Sequence, residues 1–154
     1  MPKQSAGILL YRTRDKQLQV FLIHPGGPFF RNKDEGVWSI PKGEFIEGEG
    51  ALAAAKREFE EETGQRIDGK FIPLDPITQK SGKKVFCWAV EGDIDHELIV
   101  SNTFEMEWPP RSGKKQTFPE VDRAGWFDVE AAKKKMNEAQ VGLMDNLLNK
   151  LKSS

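Results

Sequence analysis

Residues 43–64 read GEFIEGEGALAAAKREFEEETG. The run holds seven glutamates (Glu44, Glu47, Glu49, Glu58, Glu60, Glu61 and Glu62) against Lys56 and Arg57. The whole chain carries a net charge of −1, so this block of negative charge is local. Ala51 to Thr63 is built of strong helix formers without proline, and Gly64 is a natural stop just beyond them. At about 100° per residue, Glu58, Glu61 and Glu62 share an arc of roughly 100°. Leu52, Ala55 and Phe59 form the adjoining apolar stripe, suited to packing on a sheet. Lys56 and Glu60 point towards water.

Three like charges at i, i+3 and i+4 repel one another. They also crowd the helix C-terminus, where the macrodipole disfavours anions. A solvated acidic face is one reading of such a helix. A site for a hard divalent cation is the other. Mg²⁺ takes oxygen ligands, keeps several waters and bridges to substrate phosphates, and Mn²⁺ fits the same donors.

Outward from the helix, the flanks alternate between strand and loop signals. SAGILLYRTRDKQLQVFLIH has two apolar runs around a polar RTRDKQ, a hairpin pattern. PGGPFFRNKDEG is a loop, and VWSIP a short strand. After the helix, KFIPLDPITQ and KVFCWAVEGD read as strands joined at Ser81-Gly82, and NTFEMEW as another. PPRSGKKQTFPE reads as a loop and RAGWFD as a last strand. VEAAKKKMN and GLMDNLLNKLK are helical, with Asp128 as N-cap of the first. The order predicts an α/β (α+β) fold, a sandwich in which helices flank a mixed β-sheet.

The bulk numbers agree with one domain over residues 1–154. Hydrophobic content is 38% and charged content 31%, suited to a globular chain. No apolar run approaches the roughly 18 residues of a membrane span. The N-terminus shows no signal-peptide pattern. Cys87 is the one cysteine, which excludes an intrachain disulfide and a CxxC metal site. With His24 and His96 the only histidines, a multi-histidine metal cluster is excluded as well. A cytoplasmic protein is expected. The near-neutral charge gives no reason to expect DNA, and RNA is a less favoured partner. The last helix can pack on its own domain or serve a dimer, so monomer and homodimer both stay open.

The wider spacing decides between the two readings of the acidic helix. Gly43 is followed after five residues by Glu49. Seven residues later comes Arg57-Glu58-Phe59-Glu60-Glu61-Glu62-Thr63-Gly64. This resembles the Nudix box, G-x5-E-x7-R-E-U-x-E-E-x-G-U with U a bulky aliphatic residue. The strand order, the WSIPKG lead-in and the final WFD strand resemble the same family over nearly the whole chain. The last box position is Gln65 instead of an aliphatic, with Ile67 just beyond. Gly50 stands where a better helix cap is common.

The resemblance implies a hydrolase of a nucleoside diphosphate linked to another moiety, using Mg²⁺ or Mn²⁺. It implies Glu58, Glu61 and Glu62 as metal ligands, joined by the Gly43 carbonyl. Glu49 and Arg57 would pair and hold the loop to the helix, which brings Arg57 into the catalytic set. Glu61 is one candidate base. Glu120, six residues before Trp126 in FPEVDRAGWF, is the other, with a plain surface carboxylate as the alternative.

Substrate marks are mixed. Lys42 precedes the box, as in members acting on diadenosine polyphosphates or diphosphoinositol phosphates, and would meet an extra phosphate. Arg31 and Arg111, in basic loops, would grip the same chain, or be ordinary solvated charges. The downstream tyrosine of asymmetric diadenosine hydrolases is missing, since Tyr11 is the only tyrosine. Phe29, Phe30 and Trp38 are stacking candidates, Trp38 more as core. The expected substrate is a small nucleotide, a nucleoside or dinucleoside polyphosphate. A non-catalytic nucleotide sensor and an RNA 5′-pyrophosphohydrolase are the alternatives.

Overall fold

The computed structural model describes residues 4–46, 48–79 and 81–152; Glu47 of the acidic run lies outside them. Strand β1 (Gln4–Arg14) carries the run AGILLY, buried on both faces. It turns at Asp15 and Lys16, both at positive φ, into β2 (Gln17–Pro25). The register Tyr11↔Val20 confirms the hairpin. β3 (Lys42–Phe45) pairs antiparallel with the start of β1, placing Gly43 beside Ala6. β6 (Lys84–Glu91) lies parallel to β1 on its other side. Two short pieces, β4 (Ile72–Pro73) and β5 (Ile77–Thr78), pair with β6. β9 (Val121–Asp128) closes the far edge against β2. The result is a seven-stranded mixed sheet with the main order β4-β6-β1-β2-β9.

Alternation along β1 sorts the two cores. Ile8 and Leu10 face helix α1 (Ala51–Thr63) and pack with Phe21, Ala54, Ala55 and Phe59. Leu9 and Tyr11 face α2 (Val129–Lys135) and α3 (Gly142–Lys152), packing with Leu22, Trp38, Met136, Leu143 and Leu147. Burial on both faces explains why β1 reads as a continuous apolar run. The mixed sheet flanked by helices is the expected architecture.

Three local expectations need correction. VWSIP is not a strand: Trp38 and Ser39 make isolated bridges to Met136 and Ile23. The buried Gln140 side chain takes over there, accepting from Ile40 N–H at 3.0 Å and donating to Ser39 Oγ at 2.9 Å. Pro41, without an N–H, ends any ladder. KFIPLDPITQ is broken by Pro73 and Pro76 into the two short strands. PPRSGKKQTFPE is only partly loop. Its second half is β8 (Lys115–Pro119), which forms a hairpin with β7 (Thr103–Glu107) outside the main sheet.

Candidate active site

The acidic helix is held against β3 by its own glutamates. Glu58 lies so close to the Gly43 backbone that a Cβ there would sit 2.1 Å from the Glu58 carboxyl carbon. Only glycine permits this approach. Glu62, 8% exposed, accepts the Lys42 N–H at 2.8 Å through Oε1. Two successive β3 residues thus seat two of the three glutamates. Glu61 stands half-buried beside them.

Arg57 organises the rest. Its Nε and Nη2 donate to the two Glu49 oxygens at 3.0 and 3.2 Å, a two-point pairing of fork and carboxylate. Its Nη1 donates to Glu58 at 2.9 Å and reaches both Glu61 oxygens at 3.2 Å. One guanidinium therefore holds three carboxylates. Hydrogen bonding to Glu49 raises its pKa, and the same bond lowers that of Glu49.

Burial dominates the remaining charges. It pushes the Glu62 carboxyl up to about 8, against the opposing Lys42 N–H. Burial and then the Glu61 charge raise Glu58 and Glu120. Burial and then Lys83 lower Lys42. At these carboxylates burial outweighs the positive charge nearby. Among the described residues no three acidic side chains already converge as a ligand cage. Arg57 draws Glu58 and Glu61 to itself, and the Lys42 N–H draws Glu62. The donors still suit Mg²⁺ or Mn²⁺ in kind: hard oxygens, crowded together. Mg²⁺ itself needs one or two carboxylates besides waters and phosphates.

Glu120 reaches this cluster through a run of peptide hydrogen bonds. The Asn102 N–H donates to the Glu61 carbonyl at 2.9 Å, and the Glu120 N–H to the Asn102 carbonyl at 2.8 Å. The Gly26 N–H then donates to the Glu120 carbonyl at 2.9 Å. Val100 N–H caps the Thr63 carbonyl at 3.0 Å, so the loop satisfies the orphan carbonyls of α1. A cavity of about 560 Å³ opens here, lined by Lys42, Glu62 and Glu120 together with Phe30, Val37 and Asn137.

The structure thus brings Gly43, Lys42, Glu49, Arg57, Glu58, Glu61, Glu62 and Glu120 into one region. It does not bring Arg31 or Arg111 to that cavity. Arg31 lines a second cavity, and Arg111 sits at positive φ in the turn between β7 and β8. Trp38 is core, with its indole N–H on Asp34 at 2.8 Å. Phe29 is 57% exposed, and Phe30 lines the first cavity. His24 is fully buried, bonded to Asp122 and to the Lys33 carbonyl at 2.7 Å each. It pins the 26–37 loop, as a loop-capping histidine does. Cys87 is buried in the core, and burial pushes its thiol up to about 12. Gln79 and Asn137 line the cavity without any sequence expectation. Asn137 could have been found as a cap, since its Oδ1 accepts from Ala139 N–H at 3.0 Å.

A family model described as the NUDIX domain matches residues 1–147. An octanoyltransferase of Myxococcus xanthus is 27% identical over 131 residues, 85% of this chain. The chain spans about a third of that protein, 32% of its length. Among solved structures, a C. elegans Ap4A hydrolase binary complex has a TM-score of 0.67 at 20% identity, covering 99% of each chain. The NUDIX domain of Shewanella oneidensis NrtR, complexed with ADP ribose, has a TM-score of 0.65 at 16% identity. That match covers 98% of this chain and 89% of that one. At such identities the structures show a shared fold. With the family model spanning nearly all of the chain, and the box of a Nudix pyrophosphohydrolase in place, the chain belongs to the NUDIX family.

Proposed function

We propose that this chain, as a single domain over residues 1–154, hydrolyses a phosphoanhydride bond in a nucleoside diphosphate linked to a further moiety. The proposed substrate is a nucleoside or dinucleoside polyphosphate, with Mg²⁺ or Mn²⁺ as cofactor. The observation that carries this reading is the cavity where Lys42, Glu62 and Glu120 meet, with Glu58 and Glu61 held by Arg57 on the same helix as Glu62. Glu58, Glu61, Glu62 and the Gly43 carbonyl would hold the cation, which when bound neutralises the diphosphate and acidifies a water.

The chain's own residues do the rest. Lys42 offers a point charge to a substrate phosphate from the cavity wall. Glu61 or Glu120 takes the proton of the attacking water on a carboxylate oxygen. Arg57 keeps Glu58 and Glu61 positioned, and Glu49 keeps Arg57 positioned. Among the described residues no helix is long and apolar enough to cross a membrane. We place the enzyme in the cytoplasm, where its nucleotide substrates lie.

The test is product analysis with Mg²⁺ and then Mn²⁺. The substrates are nucleoside triphosphates, diadenosine polyphosphates, ADP-ribose, a diphosphoinositol phosphate and a triphosphorylated RNA. Metal-dependent turnover of a nucleoside or dinucleoside polyphosphate, absent in Glu61→Gln, is the expected result. Ligand-induced thermal stabilisation without turnover of any substrate would move the reading to a sensor.

A further inference from the structure

The second cavity, about 540 Å³, has the size of a small-molecule site and a chemistry of its own. Trp108 and Phe118 supply aromatic walls, while Arg31, Gln116 and Asp122 supply polar ones. The Trp108 ring is braced edge-on by Phe29, centroids 5.3 Å apart. Its backbone is fixed too: Trp108 N–H donates to the Lys114 carbonyl, and the Gln116 amide donates to the Trp108 carbonyl, both at 2.9 Å. That leaves Gln116 Oε1 as an acceptor. Asp122 gives Oδ1 to His24 and keeps Oδ2. Arg31 forms no hydrogen bond or ion pair among the described residues, so an unpaired guanidinium lines the cavity.

These groups complement a nucleobase with a phosphate beside it. Aromatic faces stack any base, and carboxylate and amide oxygens accept from ring and exocyclic N–H groups. The Asp122 charge excludes a bare anion from the interior, whereas Arg31 accepts one phosphate alongside.

The position supplies the rest of the argument. The first cavity is lined by Pro25 and Glu120, the second by Gly27 and Pro119. The two therefore abut across the Gly26–Glu120 hydrogen bond. The backbones touch so closely that a Cβ on Gly26 would sit 2.0 Å from the Pro119 oxygen. We infer that this cavity receives the second nucleoside of a two-ended substrate, a dinucleoside polyphosphate, whose phosphate chain crosses Gly26 to the carboxylate cluster. The inference rests on the hydrolase reading for the first cavity and adds a binding site to it.

The test compares kcat/KM for diadenosine tetraphosphate with that for ATP, in wild type, Trp108→Ala, Trp108→Phe and Arg31→Ala. The ratio should fall about tenfold in Trp108→Ala, the scale of one base stacking on one ring, mainly through KM. Arg31→Ala should lower it in the same direction, and Trp108→Phe should keep most of it. An unchanged ratio, or an equal fall for both substrates, overturns the second site. If Trp108→Ala does not fold, Arg31→Ala on its exposed loop decides. Calorimetric binding of both nucleotides to Glu61→Gln protein, with and without Trp108→Ala, separates the two readings. If wild type turns over neither nucleotide but the dinucleotide binds tighter in a Trp108-dependent way, the hydrolase reading fails and the cavity stands. Turnover with no such binding preference sinks the cavity alone.

Discussion

Helices α1 and α2 lie on opposite faces of one sheet and treat charge in opposite ways. α2 follows the helix dipole throughout. Asp128 caps it by accepting the Ala131 N–H at 2.8 Å, Glu130 sits in its first turn, and Lys133, Lys134 and Lys135 fill its last. α1 has no side-chain cap at Gly50, no acid in its first turn and no base in its last. Its acids instead gather near the C-terminus, two of them pressed against β3. The charges of α2 serve the helix. Those of α1 oppose it, and Arg57 compensates part of them by pairing with Glu58 and Glu61.

The sharpest way to break this contrast is Glu61→Gln. Turnover should fall by about two to four orders of magnitude, measured in steady state with Mg²⁺. Thermal stability should hold or rise, because a repelling charge is gone. Loss of stability with retained turnover would place Glu61 with the structural charges of α2.

Gly43→Ala comes next. The added Cβ must displace Glu58, at a cost of about 1–3 kcal/mol. Urea titration gives that cost, and the Mg²⁺ concentration for half-maximal rate should rise with it.

Proton and metal should compete at α1. The Glu62 carboxyl, raised to about 8, keeps a proton that the unfolded chain has already released. Its folded pKa lies above its unfolded value, so its contribution to stability is lost as pH rises from the ordinary carboxylate range through about 8. Glu58 and Glu120 shift in the same direction. The cation-free protein should therefore melt lower at the top of that window. The gain in melting temperature on adding Mg²⁺ should grow across it. A gain that is flat with pH would remove Glu62 from the ligands.

Capping gives the smallest effects. Asp128→Ala should cost α2 about 1 kcal/mol, while Gly50→Ser should stabilise α1 by a few tenths. Denaturant midpoints resolve both, and equal responses would erase the distinction between the helices.

The same contrast explains what could be read in the sequence. The bounds of α1, its Gly64 stop and its apolar stripe follow from local rules, and the box spacing carried the acidic site. β3 was missed because KGEF has no alternation and pairs through Gly43 and Lys42. β8 was missed because KQTFP is almost wholly exposed, so no buried face marks it. Gln140 and His24 act on partners roughly a hundred residues away in the chain, beyond any window. Arg31 illustrates the limit of composition. A basic loop beside a glycine turn reads as gripping phosphate at the acidic site, whereas the fold sets that arginine at the neighbouring cavity.

The peptide run from Glu61 through Asn102 to Glu120 has a consequence for redesign. Asn102 and Glu120 stand at the two feet of the β7–β8 hairpin, and one backbone bond of 2.8 Å ties those feet together. The spacing of the two candidate bases is thereby set below the hairpin, like the gauge of a rail. Everything above, from Thr103 to Pro119, is a cartridge on a fixed socket. Under the two-cavity proposal, changing its outer turn should alter which nucleotide is accepted, while Phe104 and Pro119, which pack on Gly27 and Gly26, are kept.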